Sequence, residues 1–302
     1  MSLALSLMGA AMRPLVRRVM GRAQDPQRMR RQLELAARLW FREVPHALYL
    51  ATAYRSDEAM PALWVSSGAV TSDKVLLYLH GGGYLAGSTE THKRLVARLC
   101  RMTGMRAFLP EYRLAPENPL PAALQDAEAA FLHLTERGYR PSDIVIGGDS
   151  AGGGLALSLL SRLCLLDQRP AACFAWSPFC DQRFSGRSVT ENSRRDHFFP
   201  GDRVTDLADM VLGDLSPDDP RASPLYADFP QPPPVLLQVS DSEILRDDAV
   251  RMAERLKRAG GAAELQVWPN APHVWQIFDG WFPEARAAIG ETARFIRCHD
   301  SQ

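Results

Sequence analysis

Gly148-Asp149-Ser150-Ala151-Gly152 is the stretch on which the fold turns. Ahead of it, Asp143-Ile-Val-Ile-Gly147 is a short apolar run of strand character; behind it, Leu155 to Leu166 has the apolar content of a buried helix. A serine between small residues, where a strand turns into a helix, fits the Gly-x-Ser-x-Gly nucleophile elbow. Such a turn is tight, and small neighbours let the chain pass close to its surroundings. It lifts the serine hydroxyl off the sheet and aims the Ala151 amide where an oxyanion would form. The plain alternative is a glycine-rich turn. Strand before and helix after favour the nucleophile.

Working outward, Lys74-Val-Leu-Leu-Tyr-Leu-His80 is a near-continuous apolar run that ends in Gly81-Gly82-Gly83. A run buried on both faces belongs in a parallel sheet. Consecutive glycines let backbone N–H groups reach a substrate oxygen with no Cβ in the way, as in the oxyanion hole of lipases and esterases. Strands are expected at 62–69, 106–110, 171–177, 234–240 and 263–268, and helices at 91–103, 120–137 and 249–259. This alternation argues for an α/β fold with a mostly parallel central sheet flanked by helices. Residues 180–229, rich in charge and proline with no core-type strand, read as an insertion above the sheet. Residues 1–45 read as helical, on an apolar face of Leu33, Ala36, Ala37 and Trp40 and on the helical spacing of Leu3, Leu7, Ala11 and Leu15.

Glu111-Tyr-Arg-Leu-Ala-Pro-Glu117, followed by Pro119-Leu-Pro121, lies between the two glycine motifs. Here the chain resembles the bacterial hormone-sensitive-lipase-like esterases, the His-Gly-Gly-Gly branch of α/β-hydrolases. The resemblance runs from about residue 75 to 280, in order and spacing, and is weak outside it. It implies an α/β-hydrolase core at 46–179 and 230–302, with N-terminal cap helices at 1–45 and a cap insertion at 180–229. It also implies hydrolysis of short-chain acyl esters without a cofactor or metal. The arginine and glutamate of the 111–117 segment are then structural, bracing the loop.

Triad order in this fold is serine, acid, histidine. Among the seven histidines, only His273 and His299 follow every candidate acid. His273 comes just after the last expected strand, whereas His299 lies near the end of the chain, where fraying is common. The acid should follow the strand ending at Ser240, and Asp241, Glu243 and Asp247 are all present there. The resembling family commonly carries Asp-Pro-Leu-x-Asp, its first Asp being the triad member. Alignment on Leu245-Arg246-Asp247 puts Glu243 at that position, followed by Ile244 instead of proline. Asp241 is the rival acid, and Asp247 is expected to anchor the following helix or loop.

The expected chemistry is attack by Ser150, with His273 as base, Glu243 as acid, and the amides of Gly82, Gly83 and Ala151 as the oxyanion hole. An amidase, lactonase or acyltransferase on the same fold is the alternative. A non-catalytic binding protein is a further one, since gibberellin receptors resemble this family but have an incomplete triad. Cap residues in Arg194-Arg-Asp-His-Phe-Phe199 are candidates for an acyl pocket, although such charge runs are more often solvated surface.

Composition narrows the partners. Lys+Arg and Asp+Glu both total 35 in 302 residues, so nothing favours nucleic acid or an anionic membrane. The partner expected is a small-molecule ester. Cys100, Cys164, Cys173, Cys180 and Cys298 are scattered and support neither a zinc site nor a disulfide framework, which makes the cytoplasm the default compartment. Met1 to Met12 has no basic stretch ahead of it and is too short to span a bilayer. It reads as a packing helix, with a membrane-surface helix as the lesser reading. Many members of the resembling family dimerise through late strand and helix elements, so a homodimer is open to this chain too.

Overall fold

The structure, a computed structural model, describes residues 8, 9, 11, 13, 14, 25–54, 59–199 and 204–299, with 204–207 described by backbone only. Its elements run α1 (Pro26–Trp40), β1 (Ala47–Tyr54), β2 (Met60–Ser67), β3 (Val75–Leu79), α2 (Thr89–Thr103), β4 (Arg106–Pro110) and α3 (Ala122–Glu136). There follow β5 (Ile144–Asp149), α4 (Ser150–Leu165), β6 (Ala172–Trp176), the single turn α5 (Ser188–Glu191) and α6 (Val204–Leu212). The chain closes with β7 (Val235–Ser240), α7 (Arg246–Arg258), β8 (Ala263–Trp268) and α8 (Pro283–Cys298).

Among the described residues, eight strands form one sheet in the order β1-β2-β4-β3-β5-β6-β7-β8. The β1–β2 and β2–β4 pairs are antiparallel; every other pair is parallel. The central strands are apolar throughout because both faces are covered. On one face Leu77, Leu79 and Ile146 pack with Leu155, Leu159 and Met252 of α4 and α7. On the other, Leu76, Tyr78 and Trp176 pack with Val96, Leu99, Ile289 and Ile296 of α2 and α8. Local signals set the helix limits. Ser88 and Thr91 form a capping box at the start of α2, and Gly104 closes it with φ +71°.

Parallel strands carry their functional loops at their carboxyl ends. Here β3 is followed by His80, β5 by Ser150, β7 by Asp241 and β8 by the loop bearing His273. Four sequence-distant segments therefore meet at one edge of the sheet.

Three expectations change. The chain forms β1 at Ala47–Tyr54, where no strand is expected; as an edge strand, it puts apolar Leu48 and Leu50 at exposed positions, so its sequence lacks the apolar–polar alternation of a half-buried strand. Helix α4 starts at Ser150 itself, because Ala151 to Gly154 continue the turn, and α8 is added at the end. In α1 only Ala37 of the expected apolar face is buried; Ala36 is exposed and Trp40 is 59% exposed. That helix rests on the loop after β3, with Arg30 donating to the carbonyls of Leu85 and Ala115. Of the residues expected to form a first helix, Leu3, Leu7 and Leu15 lie outside those described. Residues 180–229 show no strand among the described residues.

Candidate active site

Ser150 stands at the junction of β5 and α4 with φ +54°, a left-handed backbone that a serine adopts only where the surroundings hold it. The elbow permits this because Gly152 passes directly against the chain leaving β3. A Cβ on Gly152 would collide with the carbonyls of Leu79 and His80.

The hydroxyl of Ser150 lies 2.8 Å from Nε2 of His273. The other ring nitrogen, Nδ1, lies 2.5 Å from Oε2 of Glu243. With a carboxylate on Nδ1, the imidazole carries its proton there and leaves Nε2 free to accept from the serine. The second oxygen of Glu243 accepts from the Ser240 N–H at 2.7 Å and the Ser177 hydroxyl at 2.9 Å. All three side chains are buried.

Burial disfavours the imidazolium form of His273, but the charge and hydrogen bond of Glu243 outweigh it and hold the ring above its ordinary pKa. Burial pushes the Glu243 carboxyl up, against the pull of His273. The structure brings Ser150, His273 and Glu243 into one hydrogen-bonded chain. Asp241 is turned elsewhere: its carboxylate accepts the N–H of Asn270 at 2.6 Å and faces Arg195. Asp247 holds the N–H of Ser188 at 3.0 Å, and His299 packs edge-on against Phe295 at the end of α8.

The glycine turn after β3 is built from below. Tyr112 donates its hydroxyl to the His80 carbonyl at 2.6 Å, and Gly83 takes φ +66°, a conformation glycine adopts without penalty. Asp149 accepts from the Tyr78 hydroxyl at 2.7 Å and from the Gly81 N–H at 3.0 Å, with His92 Nε2 3.3 Å away. Burial would raise the Asp149 carboxyl, yet the charge of His92 and the bonds from His92 and Tyr78 hold it low. Around it, Arg113 is paired with Asp126, Glu117 with Arg30, and Glu111 accepts from the N–H and hydroxyl of Thr89.

Ser177, Asn192, His92 and the bracing role of Asp149 lie outside the sequence expectations. Asn192 donates to the carbonyls of Asp241 and Glu243 at 2.9 and 2.8 Å. Nothing local marks Ser177 or Asn192, because each acts on a residue far along the chain. Asp149 could have been found, since it lies inside the elbow motif. Among the described residues no cluster of His, Cys, Asp or Glu could hold a metal ion, and no helix is long and apolar enough to cross a membrane.

A hydroxyl bonded to an imidazole, itself bonded to a carboxylate, can give up its proton as it attacks a carbonyl. Comparison with known proteins points the same way. Residues 76–277 match a family described by its alpha/beta hydrolase fold. An acetyl-hydrolase from Streptomyces hygroscopicus is 36% identical over 237 residues, 78% of this chain and 79% of that protein. The carboxylesterase/phospholipase LipF of Mycobacterium tuberculosis is 34% identical over 274 residues, 88% of this chain and 73% of LipF. A crystal structure of an esterase from the bacterial hormone-sensitive lipase family superposes with TM-score 0.87 at 38% identity, covering 95% of this chain and 98% of that one.

Proposed function

We propose, on the premise that this chain belongs to the alpha/beta hydrolase family as one of its hormone-sensitive-lipase-like esterases, that Ser150, His273 and Glu243 are its catalytic triad. The protein is a carboxylic ester hydrolase. The observation that supports the assignment of roles is the continuous hydrogen-bonded chain from the Ser150 hydroxyl through His273 to Glu243.

Nε2 of His273 takes the proton as Oγ of Ser150 bonds to the ester carbonyl carbon. The oxyanion is held by the amides of Gly82, Gly83 and Ala151, and loss of one such donor costs a factor of about 100 to 1000. The protonated imidazole then passes its proton to the departing alcohol, leaving the acyl group on Ser150. Water, deprotonated by His273, attacks that acyl-enzyme and releases the carboxylic acid. Short acyl chains are the proposed substrates, in keeping with the acetyl-hydrolase among the relatives.

Residues 1–45 and 180–229 act as a cap and the remainder as the hydrolase core. Contacts of Ser188 and Asn192 with the 241–244 turn, and of Arg30 with Leu85, support this division. The cytoplasm is the proposed compartment. Cys100, Cys164, Cys173, Cys180 and Cys298 are all free thiols, which suits a reducing environment.

The test is labelling with a fluorophosphonate, followed by mapping of the labelled peptide. The label is expected on Ser150, and Ser150→Ala should abolish turnover of p-nitrophenyl acetate. Labelling of another residue, or ester turnover that survives Ser150→Ala, overturns the assignment.

A further inference from the structure

Asp196 is 1% exposed, and its carboxylate is shared between two segments. One oxygen accepts the N–H groups of Phe198 and Phe199 at 2.8 and 2.9 Å. The other accepts the N–H of Ile244 at 2.8 Å. Phe199 stands edge-on to His273, ring centroids 4.7 Å apart at 81°. Ile244 directly follows Glu243. A single buried carboxylate thus ties the aromatic ring against the base to the turn that carries the acid.

Ile244 can make this bond because its backbone carries an N–H. A proline at 244 would have no N–H to give. Three backbone N–H groups converge on this one buried carboxylate.

We propose that Asp196 is a positioning residue for ester hydrolysis, holding His273 and Glu243 in register through Phe199 and Ile244 and setting a second negative charge beside the imidazole. This rests on the triad assigned above. The carboxylates acting on His273 are Glu243, Asp196 and Asp149, and Asp196 acts in the same upward direction as the other two. His197, beside it in the chain, is held down by burial, with Asp196 opposing and Arg13 assisting. The Arg195–Asp241 pair is half exposed, so solvent screens its effect on the site.

The test compares Asp196→Asn with wild type on p-nitrophenyl acetate across pH, with active sites counted by fluorophosphonate titration. Asparagine keeps an acceptor for the Phe198 and Phe199 amides but loses the charge and turns an N–H₂ toward Ile244. Per titrated site, kcat should fall about ten- to a hundredfold with KM nearly constant. The acid limb of kcat/KM should move to lower pH. Phe199→Leu, which keeps the charge, should lower kcat and leave the limb in place.

A merely structural role would lower Tm and the titrated fraction without moving the limb, and that result overturns the proposal. So does wild-type kcat in Asp196→Asn. Should that variant not fold, Ile244→Pro deletes one donor at a position where the related pattern has proline. Its kcat per titrated site should then fall, and an unchanged kcat overturns the proposal. If the label on wild type is not at Ser150, the triad assignment fails instead, and the two failures are told apart.

Discussion

The carboxylate of Asp149 accepts the N–H of Gly81 at 3.0 Å, so the residue before Ser150, the proposed nucleophile, is bonded to the turn whose amides are the proposed oxyanion donors. Ser150 and the glycines proposed as oxyanion donors, Gly82 and Gly83, follow adjacent parallel strands, β5 and β3. The Asp149 side chain adds a second tie between them beside the pairing of the strands. Asp149→Ala leaves the Tyr78 hydroxyl and the Gly81 N–H buried without this partner, each at a cost of about 1–3 kcal/mol. A fall in Tm together with a fall in kcat of about tenfold or more is expected. Calorimetry and steady-state kinetics check it; an unchanged kcat in the folded variant would refute the coupling.

Glu243 and Asp241 make opposite predictions. Glu243→Gln removes the charge that stabilises imidazolium, and kcat should fall by about a thousandfold or more. Asp241→Asn keeps an acceptor for the Asn270 N–H, so its kcat should stay within about threefold of wild type. The reverse ranking would transfer the acid role to Asp241.

The pH profile follows from the direction of the His273 shift. The ring must be neutral to accept the serine proton, and it is held above its ordinary value of 6.5. As pH falls through that raised value the ring is protonated and kcat/KM declines, so the acid limb should lie above 6.5. Removing the Glu243 charge removes the chief raising influence. The residual activity of Glu243→Gln should therefore show its limb at lower pH, and a limb shifted upward would contradict the electrostatic account.

A stability prediction comes from Asp248, at the start of α7. Burial pushes its carboxyl up to about 8, although the N–H groups of Cys180 and Asp181 that it accepts at 2.8 and 3.0 Å pull it down. Unfolded, the same group ionises at the ordinary carboxylate value. Between those two values the folded state holds the extra proton. This contribution is thus fully present in acid and is lost as pH rises through the folded pKa. Asp248→Asn keeps the acceptor and does not titrate. Its Tm relative to wild type should be more favourable at pH about 8.5 than at about 5. The opposite trend would show that the ionised carboxylate is what the fold prefers.

Several features were legible without coordinates because each is a local backbone requirement. The elbow needs small residues where the chain turns beside β3; the glycine triplet needs positive φ at Gly82 and Gly83. The buried parallel strands need continuous apolar runs. These demands fall on neighbouring residues and so leave a pattern in the chain. Strand β1 leaves a weaker one, because an edge strand buries little of either face.

What the sequence by itself determined is therefore the α/β architecture, Ser150 at its turn, and the short list of partners that follow it in chain order. Only the tertiary structure decided which carboxylate faces His273. Asp241 and Glu243 are two residues apart on one turn, and in the sequence only the alignment with the resembling family favours Glu243. The choice is made by where that turn is pinned: Asn192 and Asp196 hold it from the insertion, Ser240 and Ser177 from the sheet. Those anchors are remote in the chain from the residue they orient, or hidden in the bend of a loop. No spacing rule in one dimension encodes them.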